Sequence, residues 1–372
     1  MEEIKDGYIN VLLITVRADF GGAQQHMDLL INNFPKNINL FIAAPMDEPY
    51  YLQWKENKKV LDIFIIPYRK FSFLRFAKLI RYIINKKIDI VHSHGKGAGL
   101  YSRLIKLFIP RIRIVHTFHG LHIQKYNFFK KRLFVIYERM LSFFTDKFIN
   151  VSNGEYQLCL KNKVFHEEKS VIIYNCVNQL DKIKNIRHKL NLPEDKIVIT
   201  TISRFDYPKN MDLAYDIANR CKYKKNLVFL WIGDGEDKLK IEKRVKESGL
   251  NSIIFTGFKK NVEDYLNATD VYLSTSLWEG MPSAVLEALS LGIPVVATDV
   301  MGNNEIVEDN ANGFLFNLSS PEAAVEKIEL LLSNKTLYST FSSNCEAIFK
   351  RKINVNNMIK DTVTVYKSCL NK

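Results

Sequence analysis

The sequence predicts an α/β protein built from parallel sheets in two domains, and three observations carry this. Short runs rich in Val and Ile alternate with helical patterns; the alternation breaks at a polar, charged stretch, residues 178–196, and restarts beyond it; and 372 residues at 47% hydrophobic content are enough for two full-sized cores. In the first half the apolar runs are YINVLLIT, NLFIAAP, LDIFIIP, IDIVHSH, RIRIVHT, KFINVS and SVIIYN. In the second half they are KIVITTIS, NLVFLWIG, SIIFTG, DVYLSTS and IPVVAT. Continuous apolar runs of this length suit strands covered on both faces, as in a parallel sheet with helices packed on either side. No short-period repeat and no low-complexity segment interrupts the pattern.

Five dispersed cysteines, Cys159, Cys176, Cys221, Cys345 and Cys369, never fall in a C-x-x-C spacing, so neither a disulfide framework nor a zinc site is indicated and a reducing cytoplasm fits. The start, MEEIKDGYINVLLIT, is acidic before a short apolar run and lacks the pattern of a signal peptide; no later run reaches membrane-spanning length. The expectation is a cytoplasmic protein, peripherally associated with the inner face of the cell membrane. That last part comes from charge. Of a formal +13, residues 1–180 carry 27 Lys and Arg against 15 Asp and Glu, and the remainder 26 against 25. Residues 69–147 alone hold 18 basic and three acidic residues among many Phe and Tyr. Within them RKFSFLRFAKLIRYIINKK, residues 69–87, reads as an amphipathic basic helix, with Arg75, Lys78 and Arg81 or Tyr82 at helical spacing. Such a helix packs its apolar stripe into a core, and an anionic membrane surface would take its other face. No zinc-finger spacing, basic zipper or RNA-binding sheet signature accompanies the charge, so no nucleic-acid partner is expected.

In an open α/β sheet, ligands gather beyond the carboxyl ends of the strands. After YINVLLIT come Gly21 and Gly22, a phosphate-friendly turn without the lysine of a P-loop. IDIVHSH and RIRIVHT deliver His92, His94, His116 and His119, with His122 close by. Without an H-E-x-x-H pattern or neighbouring acids, these histidines fit structural or substrate-facing roles better than a metal. After KIVITTIS, Arg204 and Lys209 flank a turn into a helix beginning near Asn210; a planar fork and a compact ammonium there would neutralise a diphosphate. Gly233 and Gly257 end two further runs, either as ordinary turn residues or to let backbone approach a ligand. No two aspartates stand two positions apart, so the D-x-D device that holds a diphosphate through a metal is missing.

The segment LWEGMPSAVLEALSLGIPVVAT places Glu279 and Glu287 eight positions apart. Were the whole segment helical, the two carboxylates would lie about 12 Å apart along the axis. Gly280 and Pro282 argue instead for a loop followed by a helix from Pro282 or Ser283 to Leu291, stopped by Gly292. Glu279 then sits in the loop over a helix N-terminus that attracts an anion, and carboxylates beside an anion site suit hydroxyl groups attached to phosphate, as in a nucleotide sugar. Glutamates near a helix start also serve as caps and surface charges, so the neighbouring motifs decide.

Those motifs run in order along nearly the whole chain: GGAQQHMDLL, HTFHG, SRFDYPKN, IGDG, FTGF, EGMPSAVLEA, PVVAT and GNNEIVEDNANGFLF. Together they resemble glycosyltransferase family 4. The resemblance implies a GT-B fold, two Rossmann-like doubly wound domains facing across a cleft: residues 1–180 on the acceptor side, 181–345 binding the donor, and 346–372 crossing back to the first domain. It implies retaining transfer of a hexosyl or N-acetylhexosaminyl group from a nucleotide sugar, a UDP-sugar being expected, to an acceptor hydroxyl without an essential metal or other cofactor. A lipid-linked or oligosaccharide acceptor in O-antigen, capsule or lipopolysaccharide synthesis follows from the same likeness.

By resemblance, Arg204 and Lys209 hold the donor diphosphate and stabilise the leaving charge, Glu287 takes the ribose hydroxyls, Glu279 meets the transferred sugar, and His119 contacts that sugar near its reacting carbon. Gly22 lies where the first domain's loop approaches the substrates, and Gly233, Gly257, Gly280, Met281, Pro282 and Ser283 complete the donor-binding set. Two departures from the family pattern stand out: Gln24 replaces a frequent Glu after the early Gly-Gly pair, and the Gly-Gly pair often found ahead of NNEIVE reads Met301-Gly302. A nucleotide-sugar epimerase and a non-catalytic partner of another transferase are the alternatives the motifs leave.

Overall fold

The computed structural model describes residues 7–121, 123–124 and 126–371. The chain divides into two compact units, residues 1–176 together with 354–372, and residues 177–353. The helix Lys335–Lys352 therefore stays with the second unit, and the return to the first begins with the helix Val355–Leu370. All five cysteines are buried thiols.

The first unit holds β1 (Ile9–Ile14), β2 (Ile38–Ala44), β3 (Val60–Ile65), β4 (Ile90–His94), β5 (Arg113–Thr117), β6 (Lys147–Asn150) and β7 (Ser170–Ile172). They form one parallel sheet in the order β3-β2-β1-β4-β5-β6-β7. The order reverses between β1 and β4, where Val11 pairs with Ile90 and Ile14 with Ser93. Beneath the helices Phe73–Asn85 and Lys96–Phe108, the core is made by Leu12, Ile14, Phe76, Leu79, Tyr101 and Ile105. The basic helix expected over residues 69–87 is thus present as Phe73–Asn85: Phe76, Leu79 and Ile83 point inward, and Arg75, Lys78 and Arg81 are exposed. Ser72 caps it by accepting from the Arg75 amide. The C-terminal helix belongs to this unit through Tyr366, whose hydroxyl meets His92 Nδ1 at 2.7 Å.

The second unit holds β8 (Ile197–Ile202), β9 (Leu227–Ile232), β10 (Ile253–Gly257), β11 (Val271–Ser274), β12 (Val295–Thr298) and β13 (Gly313–Phe316), again parallel, in the order β10-β9-β8-β11-β12-β13. All six residues of β9, LVFLWI, are buried, as a central strand with helices on both faces requires. Here the reversal falls between β8 and β11, with Val271 opposite Ile199. Every apolar run named above became a strand. The sequence reading omitted β13, because GFLF is only four residues long and sits among Asn and Asp. The polar stretch 178–196 forms loops and one short helix, Ile186–Lys189, at the start of this unit. The fold is GT-B, two Rossmann-like parallel-sheet units.

Candidate functional site

Both sheets reverse order between two neighbouring strands, and the loops leaving those strands, or for His119 the next strand β5, carry the candidate residues. In the second unit, β8 leads to Arg204, and a 3-10 turn, Tyr207–Lys209, precedes the helix Met211–Arg220. Pro208 fixes the turn, and Asn210 in the left-handed region, φ 51°, redirects the chain into the helix. Arg204 is half-exposed, with Nη2 2.7 Å from Asp206 Oδ2. Burial pushes the Asp206 carboxyl up, while the charges of Arg204 and Lys209 oppose that shift. The loop after β9 clamps this turn from below: Phe205 N donates to Asp234 O at 2.9 Å and Asp237 N to Phe205 O at 2.9 Å. A Cβ on Gly233 would stand 1.8 Å from Ser203 O, so Gly233 is required by packing against the Arg204 turn. Gly257, φ 69°, accepts from Gly233 N at 3.0 Å at the end of the edge strand β10.

The loop after β11 is stitched to the same turn. Thr275 Oγ1 donates to Lys209 O at 3.0 Å and Leu277 N to Pro208 O at 2.8 Å. Between them Lys209 Nζ lies 2.6 Å from Glu279 Oε1, which also accepts from Ser276 Oγ at 2.6 Å. The cations read as a diphosphate clamp are therefore each held by a carboxylate: Asp206 for Arg204, Glu279 for Lys209. Glu279 N in turn donates to Met301 O at 2.9 Å, and a Cβ on Gly302, φ 90°, would come within 2.6 Å of Glu279 Cβ. Met301 thus contributes only a carbonyl that any residue supplies, whereas the glycine beside it is needed for Glu279 to sit where it does.

The helix expected after Pro282 is Ser283–Ser290, with Gly280, Met281 and Pro282 buried ahead of it. No side chain caps its first turn, and Ser283 Oγ is buried without a hydrogen-bond partner among the described residues. These are groups an anion at the helix start would satisfy. Glu287 is nearly buried in mid-helix. The buried Tyr272 hydroxyl donates to Ile202 O at 3.1 Å, and burial, with the charges of Glu279 and Glu287 after it, pushes its pKa up. Arg204, Lys209 and Glu279 are thus brought together at the reversal of the second sheet, with Glu287 on the helix that follows.

In the first unit Gly22 lies at the corresponding place, after β1, and His119 follows β5, the strand beside β4. Gly22 opens the helix Gly22–Asn33, and Gln24 donates from Nε2 to Thr15 Oγ1 and Arg17 O, both at 3.4 Å. The histidine group divides in two. His92 bonds to Tyr366 and, through Nε2, to Thr117 Oγ1 at 2.9 Å, while His116 Nδ1 lies 2.9 Å from Ser93 Oγ; these two brace the sheet interior. His94 Nδ1 and His119 Nε2 are 3.0 Å apart. His26, which the sequence reading did not assign, joins them, its ring centroid 4.9 Å from that of His119 and its Nδ1 3.0 Å from Asn175 Oδ1. Its signal was its place in GGAQQHMDLL, one helical turn beyond the Gly-Gly pair. Burial lowers the pKa of His26 to about 4 and that of His94 well below the usual imidazole range, so both rings are neutral at pH 7. The ligand nitrogens of His26, His94 and His119 lie within 4.8 Å of one another and are the group among the described residues that could hold a metal. His122 lies outside the described residues.

The backbone holding His119 is unusual: His119 has φ 57° and Gly120 φ 101°. A residue absent from the sequence reading holds this loop. Glu155, buried in the helix Asn153–Lys161, accepts from Gly120 N through Oε1 and from Val151 N at 2.9 Å through Oε2. The signal was a capping pattern, Ser152-x-x-Glu155, in which Ser152 Oγ accepts from Glu155 N at 3.2 Å. One carboxylate oxygen turns back to the Val151 amide beside the cap, and the other reaches across to the histidine loop.

Two Rossmann-like units, with paired cations and carboxylates where one sheet reverses and a histidine where the other does, define a GT-B glycosyltransferase. Residues 182–347 match the glycosyl transferases group 1 family and residues 20–179 match glycosyltransferase family 4, and the chain belongs to this group 1, family 4 class of glycosyltransferases. A UDP-Gal:alpha-D-GlcNAc-diphosphoundecaprenol alpha-1,3-galactosyltransferase of Escherichia coli is 28% identical over 305 residues, covering 78% of this chain and 76% of that one. The O-antigen biosynthesis glycosyltransferase WbnH, also of Escherichia coli, is 27% identical, with 81% and 84% covered. Among solved structures, Anabaena Alr3699/HepE in complex with UDP and glucose superposes with a TM-score of 0.86 at 18% identity, covering 97% of this chain and 100% of that one.

Proposed function

We propose that this glycosyltransferase moves a hexosyl or N-acetylhexosaminyl group, with retention of configuration, from a UDP-sugar to a lipid-linked acceptor in the synthesis of a bacterial surface polysaccharide, and works without an essential metal at the membrane face. The observation that carries it is the Lys209–Glu279 pair beside Arg204, above an uncapped helix start. Arg204, Lys209 and the first amides of the helix Ser283–Ser290 take the diphosphate, which supplies from protein groups the positive charge a metal would otherwise bring. Glu287 binds the ribose hydroxyls. When phosphate engages Lys209, Glu279 turns to the sugar hydroxyls, and His119 supports the sugar near its anomeric carbon.

In the step itself the bond between the anomeric carbon and the phosphate oxygen breaks, and its electron pair leaves with UDP. The acceptor hydroxyl forms the new bond on the same face, and its proton passes to the leaving phosphate. The lipid-linked acceptor is supported by the names of the curated relatives, one of which acts on a diphosphoundecaprenol-linked sugar. The test is a panel of UDP-, GDP- and ADP-sugars with and without a bacterial lipid extract, reading nucleotide release and product mass. Product that requires both a UDP-sugar and the lipid fraction supports the reading; turnover of donor alone into an isomer would identify an epimerase instead.

A further inference from the structure

The helix Phe128–Ser142, sequence FFKKRLFVIYERMLS, buries one side and is apolar on the opposite, exposed one. Its inner side carries Leu141, Ser142 and Glu138, the last in a fully buried ion pair with Arg103 of the helix Lys96–Phe108. At about 100° per residue, Phe129, Leu133, Ile136 and Met140 project from the side opposite Glu138. All four are exposed, Phe129 at 75%, Leu133 at 68% and Met140 at 62%, and Phe143 at 73% extends the stripe. A surface helix ordinarily puts such residues inward, so an outward stripe of this length marks a surface that something covers.

Charge identifies the covering material. Lys130, Arg132 and Arg139 are exposed and border the stripe. The only acidic residue of this helix is the buried Glu138, and the neighbouring helices Phe73–Asn85 and Lys96–Phe108 have no acidic residue at all. Phe76 and Phe108, 5.7 Å apart, join those two helices. The other acids of residues 69–147 are engaged internally, Asp89 with Asn10 N and Asp146 with Lys106 and Arg113. The helices thus present exposed apolar residues, including Phe73, Leu74 and Phe108, in a mostly basic field, the half-exposed Asp62 at the end of Phe73–Asn85 being paired with Lys86. A second copy of this face would meet like charge, whereas an anionic lipid surface offers both an apolar layer and negative headgroups.

We propose that the helix Phe128–Ser142 seats this protein on an anionic bilayer, lying in the interface with Phe129, Leu133, Ile136, Met140 and Phe143 among the acyl chains and Lys130 and Arg132 at the headgroups. This rests on the membrane-bound acceptor proposed above and assigns its approach to one element, the helix that follows the His119 loop. It replaces Phe73–Asn85 as the principal contact, since that helix buries its apolar stripe.

The experiment is flotation of the full chain with phosphatidylglycerol or phosphatidylcholine vesicles, comparing wild type, a Phe129→Ser/Leu133→Ser/Met140→Ser variant and a Lys130→Glu/Arg132→Glu variant, with a Leu133→Trp variant read by quenching from brominated acyl chains. Each basic group near an anionic surface raises affinity about fivefold, and each large apolar side chain withdrawn from the acyl layer costs roughly tenfold, so both multiple variants should lose at least about tenfold in affinity for the anionic vesicles while unfolding at the wild-type temperature. The fluorescence that the Leu133→Trp substitution adds over wild type should be quenched by the brominated chains. Undiminished flotation of the triple-serine variant would overturn the proposal and leave membrane association to another surface. Failure of the wild type to float, with a dimer that the serines dissolve, would show the stripe to be a face between two copies. Failure to float as a monomer would remove the membrane reading itself.

Discussion

Lys209 and Glu279, seventy positions apart in the chain, meet at 2.6 Å because β8 and β11 are neighbours at the reversal of the second sheet. The pair is mostly enclosed, with side chains 24% and 12% exposed, so neither charge is well served by water alone. On the proposed donor site, Lys209→Ala removes the ammonium that would meet the diphosphate and leaves the Glu279 carboxylate without its cation. The expected result is a fall in kcat/KM of roughly 100- to 1,000-fold, the scale for losing one preorganised charge at a developing anion. Steady-state nucleotide release measures it, and a fall below tenfold would remove Lys209 from the donor site.

Glu279→Gln separates two roles for the same residue. Ser276 Oγ can still donate to a glutamine carbonyl, so the loop keeps its shape while the charge is lost. Because Oε1 is already engaged by Lys209 and Ser276, a hydrogen-bonding role predicts a loss of about tenfold or less, expressed mainly in donor KM. A nucleophilic role would abolish turnover and leave a glycosylated Glu279 detectable by mass spectrometry in the wild type.

Glu155 is a positioning residue for His119. Glu155→Ala strips the acceptor from the amides of Gly120 and Val151 and leaves buried donors unpaired, at about 1–3 kcal/mol each. Urea unfolding should show that loss, and kcat should fall more than donor KM changes, because Arg204 and Lys209 belong to the other unit. Glu155→Asp, with a shorter reach, should restore stability better than kcat. Parallel recovery of both would mean that Glu155 serves only the fold.

Much of this arrangement is visible in the sequence, for a physical reason. Parallel strands covered on both faces are long apolar runs, and the residues just beyond them form the candidate site, so Arg204, Lys209, Glu279 and the helix at Ser283 can all be located from pattern and proline position alone. What pattern cannot carry is which strand lies beside which. The Lys209–Glu279 pair needs β8 next to β11, and Glu155 reaching Gly120 needs β5 next to β6. His26 escapes for the same reason, since it meets His94 and His119 only once β1 and β4 are neighbours. Likewise Met301-Gly302 reads as a departure from pattern, while the backbone shows that the position needing glycine is Gly302.

Acid stability follows from the buried histidines. His26, His92, His94 and His116 are neutral when folded because burial holds each below the ordinary value, His26 falling from 6.5 to about 4. Well above pH 6.5 folded and unfolded chains are both neutral at these sites and pH has little effect through them. As pH falls through 6.5 the unfolded chain binds protons first, and stability is lost until the folded pKa is reached, in total about 3 kcal/mol for His26 alone. The urea midpoint should therefore drop steadily from pH 7 to pH 5, with proton uptake on unfolding. A flat midpoint over that range would mean that these imidazoles titrate in the folded state as they do in the unfolded chain, and a rising one that they are charged when folded.

The Arg103–Glu138 pair makes the last prediction, because it fastens the helix Phe128–Ser142 to its neighbour. Both side chains are fully buried, with Arg103 Nη1 2.6 Å from Glu138 Oε2. Phe118 and Phe148 have ring centroids 5.8 and 6.0 Å from the guanidinium, and Gly99 makes room, since a Cβ there would stand 2.7 Å from Arg103 Nη2. Arg103 Nε and Nη2 and Glu138 Oε1 have no hydrogen-bond partner among the described residues, so the pair is incompletely satisfied. Desolvating two charges offsets most of their attraction, whereas removing one leaves the other buried and unpaired. Glu138→Ala should therefore cost about 3–5 kcal/mol in urea unfolding, and Arg103→Met combined with Glu138→Leu should recover most of that. A double variant as unstable as Glu138→Ala would show the pair to be stabilising beyond its mutual compensation. A double variant that refolds fully yet loses flotation would show that the pair also sets the angle at which the helix meets the bilayer.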